Sequence, residues 1–272
     1  MKINRLRNLT LSLVLTGLAT FAIVASAAIE PDFKTISNKY SEGVVTVKFI
    51  LSVSMGGGMA GMDQESETEM TCVMATADGL VLCSNNQLTG FTAMLNQFTG
   101  GSGVSISAKP KELKVILGST EKTFDAEIVT KDSDLDLVWI KIKNTENIKF
   151  KYIDFNTAKV AEVGDKLLIM RRLGNYFGRE ITINENRVGG ITSKPRTLYI
   201  PAFTSMPGGG LPVFSSSGDI IGLMITQLPE SDGSQPSLMG MMVGNLQDGM
   251  SGLILPAAEV IRATKRAMKQ EK

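Results

Sequence analysis

The chain has 272 residues, with 28 Lys and Arg against 27 Asp and Glu, no histidine, and 43% hydrophobic residues. Such near-neutrality argues against nucleic acid or an anionic membrane surface as the main partner, since both leave a basic footprint on the proteins that bind them. The length and apolar content suffice to bury a full core, as one all-β domain or two smaller ones.

In chain order, the first segment reads as an export signal. Lys2, Arg5 and Arg7 form a positive start, Leu9 to Val24 is an apolar run broken only by Thr and Gly, and Ala25-Ser26-Ala27 is a small-residue cleavage site. The run is shorter than the roughly 20 apolar residues a spanning helix needs, so residues 1–27 are expected to be a cleaved signal peptide; retention as an anchor is the alternative. Cleavage takes three of the 28 basic residues and none of the 27 acidic ones, leaving 25 against 27. No later segment is apolar enough to span a bilayer, so no stable membrane span is expected after cleavage.

Phe33, Ile36 and Tyr40 share one helical face and Gly43 ends that element, predicting a short N-terminal helix. Strand-like runs follow at 44–53, 71–75, 80–83, 113–117, 126–130, 137–142, 166–170, 180–183, 188–191, 198–201, 212–214, 220–226 and 252–255, separated by Gly, Asn and Asp turns. Many short strands with few helices predict an all-β sandwich or a pair of barrels. Cys72 and Cys83 flank two of these strands. If Ala77 and Asp78 are the central turn residues, position 76 faces 79, and 72 faces 83. A cross-strand disulfide and two buried thiols are both open readings.

From Pro256 the pattern becomes helical to the end of the chain at 272. Val260, Ile261, Thr264 and Met268 share one face while Arg262, Lys265, Arg266 and Lys269 share the other. We read this as a helix docked on the β-domain of residues 28–255 with a solvated basic face. Three stretches look like insertions: Ser54 to Ser66 with Met55, Met59 and Met62, Gly90 to Lys109, and Pro229 to Ser251 with Met239, Met241, Met242 and Met250. Spaced methionines suit a soft metal such as Cu(I), yet Met is more often a flexible gap-filler or contact residue. No metal site and no cofactor are expected.

Five segments, in order, resemble the HtrA/Deg branch of the chymotrypsin-like serine proteases over about residues 33–268. Asp78 to Gln87 is similar to the stretch that carries the family's catalytic His, and Asp134 to Ile142 to the one that carries its Asp. Val163-Gly164-Asp165 matches a family turn. Pro207 to Phe214, followed by Ser217 to Leu223, resembles the G-N-S-G-G-P segment of the nucleophile, and Gly252 to Pro256 the strand before the closing helix. The resemblance implies a double barrel of two six-stranded β-barrels with a short N-terminal and a C-terminal helix. It also implies a chain ending where the family's PDZ domain would begin, so that any homo- or hetero-oligomer would be built by the barrels.

Carried over residue by residue, the catalytic Asp falls on Asp136. The His position falls on Asn86, or on Gln87 with a one-residue insertion, and neither amide has the near-neutral pKa that proton transfer from the nucleophile requires. The nucleophile falls on Gly209. Pro207, two residues earlier, stands where the family donates an oxyanion-hole N–H that proline lacks, unless the register restores Gly208. Ser205 is the nearest hydroxyl, but no local motif supplies a base for it. The resemblance thus implies a pseudoprotease of a bacterial cell envelope or periplasm that binds a protein or peptide, with an active HtrA-type homologue as one candidate partner. A residual or repurposed serine endopeptidase and a Met-loop metal-binding protein are the alternatives.

Overall fold

The computed structural model describes residues 33–56, 62–90, 92, 96, 105–120, 122–203, 208–227 and 251–270. Helix α1 (Phe33–Tyr40) leads into β1 (Val44–Gly56), β2 (Met62–Met74), β3 (Leu80–Ser84), the single turn α2 (Asn85–Leu88), β4 (Ser105–Ile116), β5 (Thr123–Asp132) and β6 (Leu137–Ile142). The second half comprises β7 (Lys166–Arg172), β8 (Ile181–Ile191), β9 (Tyr199–Pro201), β10 (Pro212–Ser215), β11 (Ile220–Gln227), β12 (Ser251–Pro256) and helix α3 (Ala257–Gln270). Each half closes on itself: β1-β2-β3-β6-β5-β4 form one antiparallel barrel and β10-β11-β12-β9-β8-β7 the other.

Two-residue periodicity explains why the central strands are apolar without alternation. Along β6, Val138, Ile140 and Ile142 point into the first barrel, whereas Leu137 and Trp139 point at the second. The same division separates Val81 and Cys83 from Leu80 and Leu82 in β3, and Leu167 and Ile169 from Leu168 and Met170 in β7. Successive side chains leave a strand on opposite faces, so a strand lying between a barrel interior and an inter-barrel core must be apolar on both. The inter-barrel core is the largest of the three clusters and also takes Ile36 and Tyr40 of α1 and Val260, Ala263 and Ala267 of α3.

Both helices are therefore docked elements. The Tyr40 ring stacks on Phe214 at 4.3 Å between centroids, and its hydroxyl donates to the Gly218 carbonyl at 2.7 Å. Trp139 Nε1–H donates to Thr264 Oγ1 at 3.1 Å, giving the buried indole a partner on α3. Arg262, Lys265, Arg266 and Lys269 face solvent, as a docked helix requires.

Strand limits depart from the sequence expectations in three places, one being β4, which begins at Ser105 inside the stretch Gly90 to Lys109 read as an insertion and well before the expected 113. Positions 180–183 and 188–191, expected as two strands, belong to the single strand β8, because the polar residues Asn184 to Arg187 between them stay in register with β7. The stretch Ser54 to Ser66 is an insertion only in part. β1 and β2 pair from Val44↔Val73 out to Met55↔Met62, and β4 flanks them as far as Gly56↔Ser105, so the three strands outrun the barrel as a polar arm. Cross-strand charges hold that arm in register, with Lys48 Nζ 2.7 Å from Glu67 Oε2 and Lys111 Nζ 2.6 Å from Glu65 Oε1. The signal segment 1–27, Pro207, Ser205 and the methionines from Met239 to Met250 lie outside the described residues.

The β2–β3 hairpin has the expected register, with Val73↔Leu82 and Met74↔Val81. Thr76 to Gly79 form the turn, with Gly79 at φ +91°. Cys72 and Cys83 are joined by a disulfide across this pair, 4.7 Å apart at Cα and fully buried inside the first barrel. Of the two readings left open by the sequence, the structure takes the bridge.

Candidate functional site

Asp136 opens the site. It sits in the turn before β6 with φ +55°, a left-handed conformation that Asp tolerates better than most residues. Its carboxylate is 2% exposed. Oδ1 accepts the Asn86 N–H at 2.7 Å and Oδ2 accepts the Thr226 N–H at 2.7 Å. Both oxygens receive the Ser84 hydroxyl, at 3.0 and 2.9 Å. Burial outweighs these donors and raises the Asp136 pKa to about 6.

Ser84 ends β3 and caps α2: its hydroxyl oxygen accepts the Gln87 N–H at 3.2 Å while the O–H goes to Asp136. Ser84 and Gln87 have the spacing of a capping box, a signal present in the sequence and unused above. Gln87 does not complete the box. Its side-chain amide donates instead to the Gly209 carbonyl at 2.9 Å. The Asn86 amide donates to the Thr226 carbonyl at 3.0 Å. Both candidates for the His position thus reach from the first barrel into the second.

Gly209 is pressed against this cluster. A Cβ there would lie 2.6 Å from Ser84 Cβ, 2.6 Å from Ser84 Oγ and 2.8 Å from Asp136 Oδ2. The space that a side chain at position 209 would need is occupied by Ser84 and the Asp136 carboxylate. Gly210 adjoins it at φ +78°, and a Cβ there would stand 3.0 Å from the Thr71 carbonyl. Gly208 is half-buried and borders the open cleft. The one hydroxyl hydrogen-bonded to the carboxylate belongs to Ser84, which has no exposed surface. A Ser–carboxylate pair is present, therefore, and it is enclosed.

Beside the sealed cluster lies a cleft of about 740 Å³ between the barrels. Thr68 to Thr71 of β2 line one wall, and Arg171, Asn184, Leu211 and Met224 belong to the other. At its end Arg179, at φ +54°, places a guanidinium 2.6 Å from Glu69 Oε1. The neighbouring Arg172 guanidinium is buried and donates to the carbonyls of Val44 at 2.8 Å, Arg179 at 2.6 Å and Ser41 at 2.5 Å. These inter-barrel clamps escaped the sequence reading, because a lone Arg in a strand carries no local mark of the distant carbonyls it serves.

No family model matches the chain, and no curated protein matches it in sequence. Solved structures do match. The HtrA-type protease AlgW, solved with a decapeptide, superposes with a TM-score of 0.56 at 15% identity, covering 89% of this chain and 69% of that one. The protease domain of MamO from Magnetospirillum magneticum, in its apo form, aligns at 16% identity with a TM-score of 0.48, covering 83% of this chain and 97% of that one. The paired barrels, the closing helix and the likeness to AlgW define the class: this is a chymotrypsin-like fold of the HtrA type.

Proposed function

We propose that the protein is a non-catalytic HtrA-type pseudoprotease of a bacterial cell envelope, which binds a protein or peptide segment in the cleft between its barrels. The observation that carries this reading is the contact of Gly209 with Ser84 and Asp136. Acyl transfer needs a hydroxyl, a base to deprotonate it and an open face for the substrate. Position 209 has no side chain, the chain has no histidine, and among the described residues the hydroxyl bonded to Asp136 is the enclosed Ser84. The cleft beside the closed cluster is nevertheless large enough for several side chains of a ligand. Tyr176 and Phe177 at the β7–β8 turn are 92% and 61% exposed, and they offer apolar contact area to a protein partner such as an active HtrA-type homologue.

The test combines two measurements on the purified protein. Incubation with a fluorophosphonate probe and with unfolded casein is expected to give neither labelling nor cleavage, while affinity capture from the native envelope retains a partner. Labelling of any serine that persists through purification would overturn the pseudoprotease reading.

A further inference from the structure

We infer that the cleft selects a carboxylate-bearing peptide, seating the carboxylate on Arg171. This rests on the proposed reading of the cleft as a peptide site and adds the chemistry of its ligand. Arg171 continues the row of β7 side chains that faces the interior of the second barrel, after Leu167 and Ile169. Its strand partners Thr182, on β8, and it lines the cleft together with Leu211 and Met224. The cation therefore stands at the mouth of the barrel, beside the glycine-rich segment and on the wall opposite Thr68 to Thr71.

Among the described residues its charge is unmatched. The two carboxylates that line the cleft are both committed, Glu69 to Arg179 at 2.6 Å and Glu185 to Lys166 at 3.7 Å. Arg172 spends its donors on three backbone carbonyls. Among the described residues, Arg171 has neither an ion pair nor a hydrogen bond although it is exposed to the cleft. Asn184 stands diagonally across from it on the same face of β8, also without a partner among the described residues. A guanidinium and a nearby amide, both with free donors, suit a carboxylate, which accepts in a planar, two-oxygen geometry.

The opposite wall indicates that the carboxylate belongs to a peptide. β2 pairs with β1 along its whole length but with β3 only at Val73 and Met74, so its second edge from Asp63 to Thr71 has no ladder partner among the described residues. Such an edge offers main-chain groups to an extended segment. The shared chemistry is a carboxylate from either of two sources, an acidic side chain within the segment or the C-terminus of the chain.

The probe is a set of fluorescein-labelled octapeptides built from Ala, Val and Ser. Each carries Glu, Gln or Lys at one internal position and is made with a free or an amidated C-terminus. Binding to the purified protein is read by fluorescence anisotropy at low salt. Glu-bearing or free-C-terminus members are expected to bind at least about tenfold more tightly than their Gln or amidated twins, a factor equal to one 1.4 kcal/mol step. Which pair differs identifies the source. In Arg171→Gln the preference is expected to vanish, and in Arg171→Glu to pass to the Lys peptides. Arg266→Gln, on the remote face of α3, should leave it intact. Equal binding of acidic and amide twins, survival of the preference in Arg171→Gln, or an equal loss in Arg266→Gln would overturn the carboxylate assignment while leaving the peptide cleft standing. Failure of every peptide to bind would overturn both.

Discussion

Gly209→Ser would add a hydroxyl beside Asp136, where the structure leaves no free space for it. The new Cβ would stand 2.6 Å from both Ser84 Cβ and Ser84 Oγ, and 2.8 Å from Asp136 Oδ2. Carbon atoms in contact sit near 3.5–4.0 Å, so Ser84 or the 208–211 segment must move by about 1 Å. Overpacking of this kind costs typically 1–3 kcal/mol. Displacing Ser84 also removes a hydroxyl donor from a buried carboxylate, worth about 1.5–3 kcal/mol. Together roughly 2.5–6 kcal/mol follow, which for a protein of this size is a fall in Tm of about 5–24 °C. Thermal and urea denaturation followed by circular dichroism read the loss. Ser84→Gly removes both clashing atoms, so Ser84→Gly/Gly209→Ser should recover part of the stability, with a coupling of at least about 1 kcal/mol in the double-mutant cycle. Ser84→Ala, which keeps Cβ, should rescue less. A Gly209→Ser protein within about 0.5 kcal/mol of the parent, or strictly additive single effects, would show that the cluster is not packed shut.

Three further outcomes follow from the same contacts. Because the Asp136 pKa is about 6 in the native state against an ordinary 3.8, the folded protein holds its proton at pH values where the unfolded chain has lost it. The contribution of this group to stability is therefore complete below about pH 4 and lost as pH rises through 6, by roughly 3 kcal/mol; denaturation midpoints of the parent minus Asp136→Asn between pH 4 and 7 measure it, and a difference rising with pH would refute it. Replacing Cys72 and Cys83 by Ala should lower stability by about 2–4 kcal/mol, and both cysteines of the native protein should resist alkylation in dithiothreitol until denaturant is added, as mass spectrometry reads. Asn86→Asp should destabilise more than Asn86→Ala, by urea midpoint, because a carboxylate there would face the Thr226 carbonyl beside a second buried acid.

What the sequence made legible was the part encoded locally. Short apolar runs at Leu80 to Cys83 and Leu137 to Ile142, bounded by turn residues, mark strands buried on both faces, and the turn at Ala77 and Asp78 sets the register that brings Cys72 to Cys83. The motif order placed Asp136, Asn86, Gln87 and Gly209 in one neighbourhood, and the fold brings them together. The role of Ser84 was not legible. Its partner lies 52 positions away, and a serine before a helical turn reads fully as a cap. Arg171 and Arg172 are adjacent in sequence and alike in type, yet one faces the cleft and the other is buried among carbonyls. Strand parity separates them only once the barrel interior is known. The length of β8 was misjudged for a related reason: its polar middle lacks an apolar face, and its pairing comes from β7 rather than from its own pattern.

The surviving carboxylate makes sense once Thr226 is considered with it. The N–H of Thr226 reaches Asp136 Oδ2 and its carbonyl receives the Asn86 amide, so two side chains of the first barrel present one acceptor and one donor to the two main-chain groups of a single residue of the second. Thr226 is itself buried, and leaving either of its main-chain groups unpaired would cost about 1–3 kcal/mol. An imidazole at position 86 would donate or accept according to its tautomer and charge, and near neutral pH it would do both in turn. An amide carries its donor at every pH. Asn at position 86 and Asp at position 136 are then consistent with one physical requirement: a latch between the barrels needs a buried acceptor and a donor that does not titrate. Asp136 supplies the first and Asn86 the second, and Ser84 fills the space beside Gly209.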